Sequence, residues 1–146
     1  MTREKVINFD MDGTIANLYA DPQWLEKLTN ADPTPYINAK PMVNTEKLAK
    51  AIHKAQAHGY AVNILTWLAK NATAEYDKAV AAAKLEWLKR YFPTVEWNEI
   101  IIATYGTPKH ELAKGILFDD EEHNREAWGK GAYTPAKIFK VMNPIR

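Results

Sequence analysis

The chain of 146 residues contains no cysteine. That absence removes a disulfide framework, a thiolate zinc site and a cysteine nucleophile together, and it suits a reducing compartment, so a cytoplasmic protein is expected. Histidine is also sparse, and His53, His58, His110 and His123 lack the spacing of a metal-binding cluster. Long apolar runs are missing: the longest stretches are a handful of residues, against the roughly 20 that a bilayer-crossing helix needs, so no membrane partner is expected. Residues Met1 to Lys5 are charged and run directly into a short apolar segment, which predicts no targeting peptide. Nor is there an excess of charge of one sign. With 19 basic and 18 acidic residues, net +1, no bulk field draws the chain to nucleic acid or anionic lipid, and any polyanion contact has to be local.

What is present suffices for one domain over residues 1–146, since a chain of this length buries roughly two thirds of the surface it exposes when unfolded. Lys5 to Asp10 reads as a short buried strand stopped by a turn at Gly13. A stretch rich in Pro and Asn follows from Asn17 to Val43, with one short helix predicted from Pro22 to Leu28. Asn44 caps a helix in which Leu48, Ile52 and Ala55 recur at helical spacing, and Gly59 ends it. Tyr60 to Thr66 is a second strand, and Asn71 to Phe92 is the strongest helical segment, with Pro93 just beyond. Ile100 to Ala103 is a third strand, Thr107 and Pro108 open a short helix that Gly115 closes, and Ile116 to Asp119 is a fourth strand. Glu121 to Trp128 reads as helix, and the tail adds an edge strand around Lys137 to Val141. This alternation predicts an α/β fold, a parallel sheet covered by helices on both faces, with a small insert at about residues 15–43.

In such a sheet ligands bind at the carboxyl ends of the strands. Asp10, Thr66, Asp119 and Asp120 stand at three of those ends. Asp10, Asp12, Asp119 and Asp120 would then face one crevice, where their mutual repulsion raises their pKa values unless a cation sits among them. Hard oxygen ligands, with no cysteine and no clustered histidine, favour magnesium. Asp10 is placed to attack phosphorus, and Asp12 to protonate the leaving oxygen. Gly13 lets the chain turn so that the amides of Met11 and Asp12 point at phosphate, with Thr66 adding a hydroxyl and Lys109 a point charge at a helix start. Each signal has a plainer reading when taken alone. The Asp119–Asp120 pair also suits a helix cap, Lys109 a surface lysine that Lys70 or Lys114 could replace, and Asn124 a helix-surface amide.

Taken together, Asp10-Met11-Asp12-Gly13-Thr14, Thr66, Lys109 and Asp119-Asp120 resemble, in order and approximate spacing, the four motifs of the haloacid dehalogenase superfamily of phosphohydrolases. The resemblance implies a Rossmann-like three-layer sandwich, a magnesium cofactor and an aspartyl-phosphate intermediate on Asp10. It further implies Asp10 and Asp120 as direct metal ligands, Asp12 as a ligand through its main-chain oxygen, and Asp119 acting through water. An acidic residue at Asp12 looks like the phosphatase branch rather than the ion-pumping ATPases, which carry threonine at that step.

The insert of about thirty residues is too short for a substantial cap domain if its loops keep their usual lengths. The site is therefore expected to be open, leaving room for a neighbouring subunit in a homo-oligomer. Trp67, directly after Thr66, and Tyr19, Trp24 and Tyr36 in the insert are the aromatics expected to touch substrate, packing of the insert being the competing role. The motif style is similar to the deoxyribonucleotidases and their bacterial and phage relatives, which implies a small phosphorylated substrate, a nucleoside monophosphate first. A polynucleotide-end phosphatase is the enzymatic alternative, and a binding module that keeps the fold without chemistry is the alternative of another class.

Overall fold

The computed structural model describes residues 5–145 of the chain, so most of the charged amino terminus considered above lies outside the described residues. Five parallel strands form the sheet: β1 (Val6–Phe9), β2 (Ala61–Trp67), β3 (Glu99–Ala103), β4 (Ile116–Phe118) and β5 (Ala132–Tyr133). Their spatial order is β3-β2-β1-β4-β5. The chain therefore walks outward from β1 in one direction and then restarts on its other side at β4. That reversal opens a crevice above the carboxyl ends of β1 and β4, the position where Rossmann-like sheets bind ligands.

The helices are α1 (Trp24–Thr29), α2 (Thr34–Asn38), α3 (Thr45–Ala57), α4 (Ala74–Tyr91), α5 (Glu122–Trp128) and α6 (Ile138–Met142). Two of them begin with side-chain caps: Asn44 accepts from the Lys47 amide, and Thr73 accepts from the Tyr76 amide. Side chains alternate across a strand, so Ile7 and Phe9 share one face of the sheet with Val62 and Ile64. On that face they meet Leu48 and Ile52 of α3, Trp87 and Leu88 of α4, and Ile138 and Met142 of α6 in one buried core. Asn8 and Asn63 lie on the opposite face. Both are buried, and the Asn63 amide donates to Asn8 Oδ1 at 3.0 Å while Asn8 Nδ2 donates to the carbonyls of Lys114 and Ile116 at 2.8 and 3.0 Å. These bonds tie β1 to β2 and to the entry of β4, while Asn63 Oδ1 stays a buried acceptor with no partner among the described residues. No helix among the described residues is long and apolar enough to cross a membrane.

Four elements differ from what the sequence pattern predicts. The tail from Lys137 to Val141 is helical: Lys137 ends a 3₁₀ turn at Pro135–Lys137 and the rest lies in α6, where Ile138 and Met142 recur four residues apart and are buried on α3's side of the sheet. The fifth strand lies earlier, at Ala132–Tyr133, too short to signal itself in sequence. The helix predicted from Thr107 is a single 3₁₀ turn at Lys109–Glu111; the Thr107 hydroxyl donates to the Thr104 carbonyl at 2.8 Å instead of capping, so no helix dipole acts there. The insert also holds α2, a second helix beside the one predicted around Pro22 to Leu28.

The insert is fastened to α4 along its length. Tyr76 donates its hydroxyl to the Asp32 carbonyl at 2.9 Å, the Trp87 indole donates to the Ala39 carbonyl at 2.8 Å, and Arg90 donates to the Ile37 carbonyl at 3.1 Å.

Candidate active site

The segment after β1 is a tight knot of backbone bonds. The Asp10 amide donates to the Phe118 carbonyl at 3.0 Å, which seats Asp10 between β1 and β4. The Met11 carbonyl accepts from the amides of Thr14, Ile15 and Ala16, and the Gly13 amide donates to the Ala16 carbonyl at 2.9 Å. Gly13 makes the turn with φ of +81°, and a β-carbon there would collide with the Asp120 carboxylate. Only glycine fits both conditions. The amides of Met11 and Asp12 donate to no acceptor among the described residues, while those of Asp10, Gly13, Thr14, Ile15 and Ala16 all do. Two successive free donors beside a carboxylate form an anion cradle. The Thr14 hydroxyl donates to Asp10 Oδ2 at 3.0 Å and accepts from the Asp120 amide at 3.2 Å, so it holds the two strand ends together.

Lys109 bridges two of the acids. Its ammonium donates to Asp10 Oδ1 at 3.0 Å and to Asp119 Oδ2 at 2.7 Å, and its side chain is 2% exposed. Burial alone would lower the Lys109 pKa, but the charges of Asp10 and Asp119 and their hydrogen bonds raise it above the usual lysine value, so it stays an ammonium. The Asp119 carboxylate also accepts from the Glu121 amide at 2.9 Å and from Asn124 Nδ2 at 3.2 Å, so three donors hold it in place. Asn124 therefore holds Asp119. Asp120 is different: it lines the cavity, and its pKa is pushed up to about 8 by burial first, then by the charge of Asp10 and the hydrogen bond between the two. Burial and Asp10 likewise push Asp119 upward.

Asp10, Asp119 and Asp120 each offer a carboxylate oxygen, and these atoms lie within 4.8 Å of one another. The donors are all hard oxygens, and burial together with the neighbouring Asp10 charge works against ionisation of Asp120, a conflict that a cation relieves. That set fits a magnesium ion in donor type and charge. Asp12 does not join it through its side chain. Oδ2 of Asp12 instead accepts from Lys84 at 2.9 Å. Burial raises the Asp12 carboxyl above the usual range against the pull of Lys84, the direction a proton donor needs.

Lys84, on α4, is the site residue that motif spacing does not reveal. Its ammonium also donates to Thr66 Oγ1 at 2.6 Å and to the Trp67 carbonyl at 2.9 Å. A signal was nonetheless present: Lys84 lies four residues after Val80 and three before Trp87, on the buried face of α4. Thr66 is fully buried at the end of β2, where its hydroxyl oxygen accepts from Lys84.

The cavity has a volume of about 740 Å³. Asp10, Asp12, Lys109 and Asp120 form one end, and all four of the aromatics singled out above, Trp67, Tyr19, Trp24 and Tyr36, line it. Tyr105, not anticipated, joins them, with its ring 5.1 Å from that of Trp67, whose indole donates to the Thr107 carbonyl at 2.8 Å. Tyr19 and Trp24 meet edge to face at 4.9 Å between centroids. Tyr36 is buried, with its hydroxyl pKa raised by burial and by Asp12. Lys70 lines the cavity as an exposed lysine, away from the bridging position of Lys109.

No family model matches the chain, and no curated protein does. Among solved structures, the crystal structure of D,D-heptose 1,7-bisphosphate phosphatase from Burkholderia thailandensis superposes with a TM-score of 0.56. The match covers 95% of this chain and 99% of that one at 13% identity, so what is shared is the fold.

Proposed function

We propose that the chain is a magnesium-dependent phosphomonoester hydrolase of the haloacid dehalogenase type, acting through a phosphorylated Asp10. The observation that carries this reading is the placement of Asp10. It follows β1 at the switch point, held at Oδ1 by Lys109 and at Oδ2 by Thr14, and it opens on a cavity shared with Asp12 and Asp120. The fold in common with a sugar bisphosphate phosphatase supports the same class.

Asp10 and Asp120 would hold magnesium directly, together with the main-chain oxygen of Asp12; Asp119, already taken by Lys109, Glu121 and Asn124, would act through water. When bound, the ion neutralises the carboxylates and draws charge from the phosphoryl oxygens. The amides of Met11 and Asp12, with the Lys109 ammonium, orient the phosphoryl group. A carboxylate oxygen of Asp10 forms a bond to phosphorus as the bond to the leaving oxygen breaks. Asp12 gives that oxygen its proton, then takes one from the water that releases phosphate from Asp10.

The substrate is a small phosphomonoester, and the aromatic wall of Trp67, Tyr105, Tyr19 and Trp24 favours a nucleoside monophosphate, whose base can lie against it. A small phosphorylated sugar is the second reading, favoured by the substrate named for the structural neighbour. The test is phosphate release from nucleoside monophosphates, sugar phosphates and phosphorylated oligonucleotides, with and without magnesium, for the wild type and Asp10→Asn. Wild type should act only with magnesium, and Asp10→Asn should be slower by several orders of magnitude. Equal rates would remove Asp10 as nucleophile, and release from oligonucleotide ends alone would make this a polynucleotide-end phosphatase. No turnover of any phosphoester would point to a binding module.

A further inference from the structure

Lys84 takes no part in the steps above, yet it is among the most buried charged side chains described, at 1% exposure, and it does not line the cavity. Its three N–H donors are all spent inside the protein, on Asp12 Oδ2, Thr66 Oγ1 and the Trp67 carbonyl. It has none left for a phosphate. An ammonium in a core costs several kcal/mol unless paired, and an apolar side chain of the same length would fill the space on α4 without that cost. The groups it joins are informative. They are the proton-transfer residue on the β1 loop and the last two residues of β2, so one cation fixes Asp12 against the end of the neighbouring strand. The ring of Tyr36, from the insert, lies 5.3 Å from the ammonium and closes off its remaining side.

We propose that Lys84 is the positioning residue of the acid–base step, an inference that rests on the phosphohydrolase reading. Lys84 pins Asp12 by Oδ2, which leaves Oδ1, free of hydrogen bonds among the described residues, to face the leaving group. As the bond from phosphorus to the leaving oxygen breaks, its electron pair stays on that oxygen, which takes the proton from Asp12 Oδ1. The carboxylate so formed is already paired with Lys84. When water later attacks phosphorus, the bond from phosphorus to the Asp10 oxygen breaks, its electron pair restores the Asp10 carboxylate, and the water's proton passes to the same oxygen of Asp12.

The test uses kcat/KM, which reports transfer to Asp10 alone, measured over aryl and alkyl phosphates of increasing leaving-group pKa. A positioned acid flattens that dependence, because it neutralises the charge on a poor leaving group. Lys84→Met and Lys84→Gln should both steepen the slope toward that of Asp12→Asn. The expected loss is about 100-fold for alkyl phosphates, the lower end of what a general acid contributes, and under about tenfold for 4-nitrophenyl phosphate. Lys84→Gln keeps length and a donor if Lys84→Met fails to fold, with circular dichroism checking both. In an Asp12→Asn background the Lys84 substitutions should leave the slope unchanged. A parallel fall for all substrates would overturn the proposal, because a merely structural lysine acts on every substrate alike. Absence of turnover by the wild type would remove the phosphohydrolase reading first, and this one with it.

Discussion

Gly13 and Asp120 meet across the switch point of the sheet, where the place a β-carbon on Gly13 would occupy lies within the Asp120 carboxylate. The glycine's φ of +81° is a second constraint, costing a residue with a side chain about 1–2 kcal/mol. Gly13→Ala should therefore lower the thermal midpoint and, because it displaces Asp120, weaken magnesium binding by more than the stability loss alone explains. Calorimetric titration of the variant with magnesium checks this. An unchanged affinity would separate Asp120 from the metal.

Lys109 neutralises two buried acids at once, so its removal leaves both uncompensated. Lys109→Met should cost about 3–5 kcal/mol, the usual result of removing one partner of a buried pair. Added magnesium should restore part of that loss by supplying the missing positive charge to Asp10. Urea unfolding with and without the ion measures both effects, and a variant as stable as the wild type would show that the bridge carries no structural weight.

The acids also set a pH dependence. Asp120 holds its proton up to about pH 8 when folded and up to about pH 4 when unfolded, so the folded metal-free protein binds the extra proton between those limits. Its contribution to stability is full below about pH 4 and is lost as the pH rises through about 8. Asp12 and Asp119 are shifted in the same direction and add to the fall. The thermal midpoint without metal should therefore drop from pH 5 to pH 8, and magnesium should flatten the curve. Binding at pH 7 should release a proton, read from titration heats in buffers of different ionisation enthalpy; no release would contradict the raised Asp120 carboxyl.

Much of this was legible in the sequence, for identifiable reasons. Short apolar runs stopped by turns gave β1 to β4, and the periodic Leu48, Ile52 and Ala55 gave α3, because burial writes directly into residue type. Asp10, Asp119 and Asp120 converge because parallel strands align their carboxyl ends, a consequence of topology that alternation alone predicts. The turn holding Lys109 is not legible as such, because Thr107-Pro108 carries the local signature of a helix while the chain is too short there to propagate one. Lys84 escaped because a lysine in an alanine-rich helix reads as solvated surface; only the tertiary approach of Asp12 and Thr66 gives it a partner. The helical tail was obscured by its brevity, α6 spanning Ile138–Met142, where strand and helix periods cannot be told apart.

The insert's attachment to α4 carries the last prediction. Caps that close over a site must leave the core, yet residues Asp32, Ile37 and Ala39 are tied to Tyr76, Arg90 and Trp87, and the Trp87–Ala39 bond is fully buried. Opening would strip a buried carbonyl of its donor, at about 1–3 kcal/mol, and expose the Trp87 ring besides. The insert should therefore behave as a fixed wall: amides of α2 should exchange with solvent slowly, at a rate unaffected by phosphate or magnesium. Trp87→Phe removes the donor while keeping an aromatic ring. It should speed exchange across residues 32–42 and raise KM, because Tyr36 and Trp24 lose their fixed place on the cavity wall, while kcat falls less, because Asp10 and Asp12 are carried by the segment after β1 and not by the insert. Fast exchange in the wild type that slows on adding ligand would instead make the insert a mobile lid.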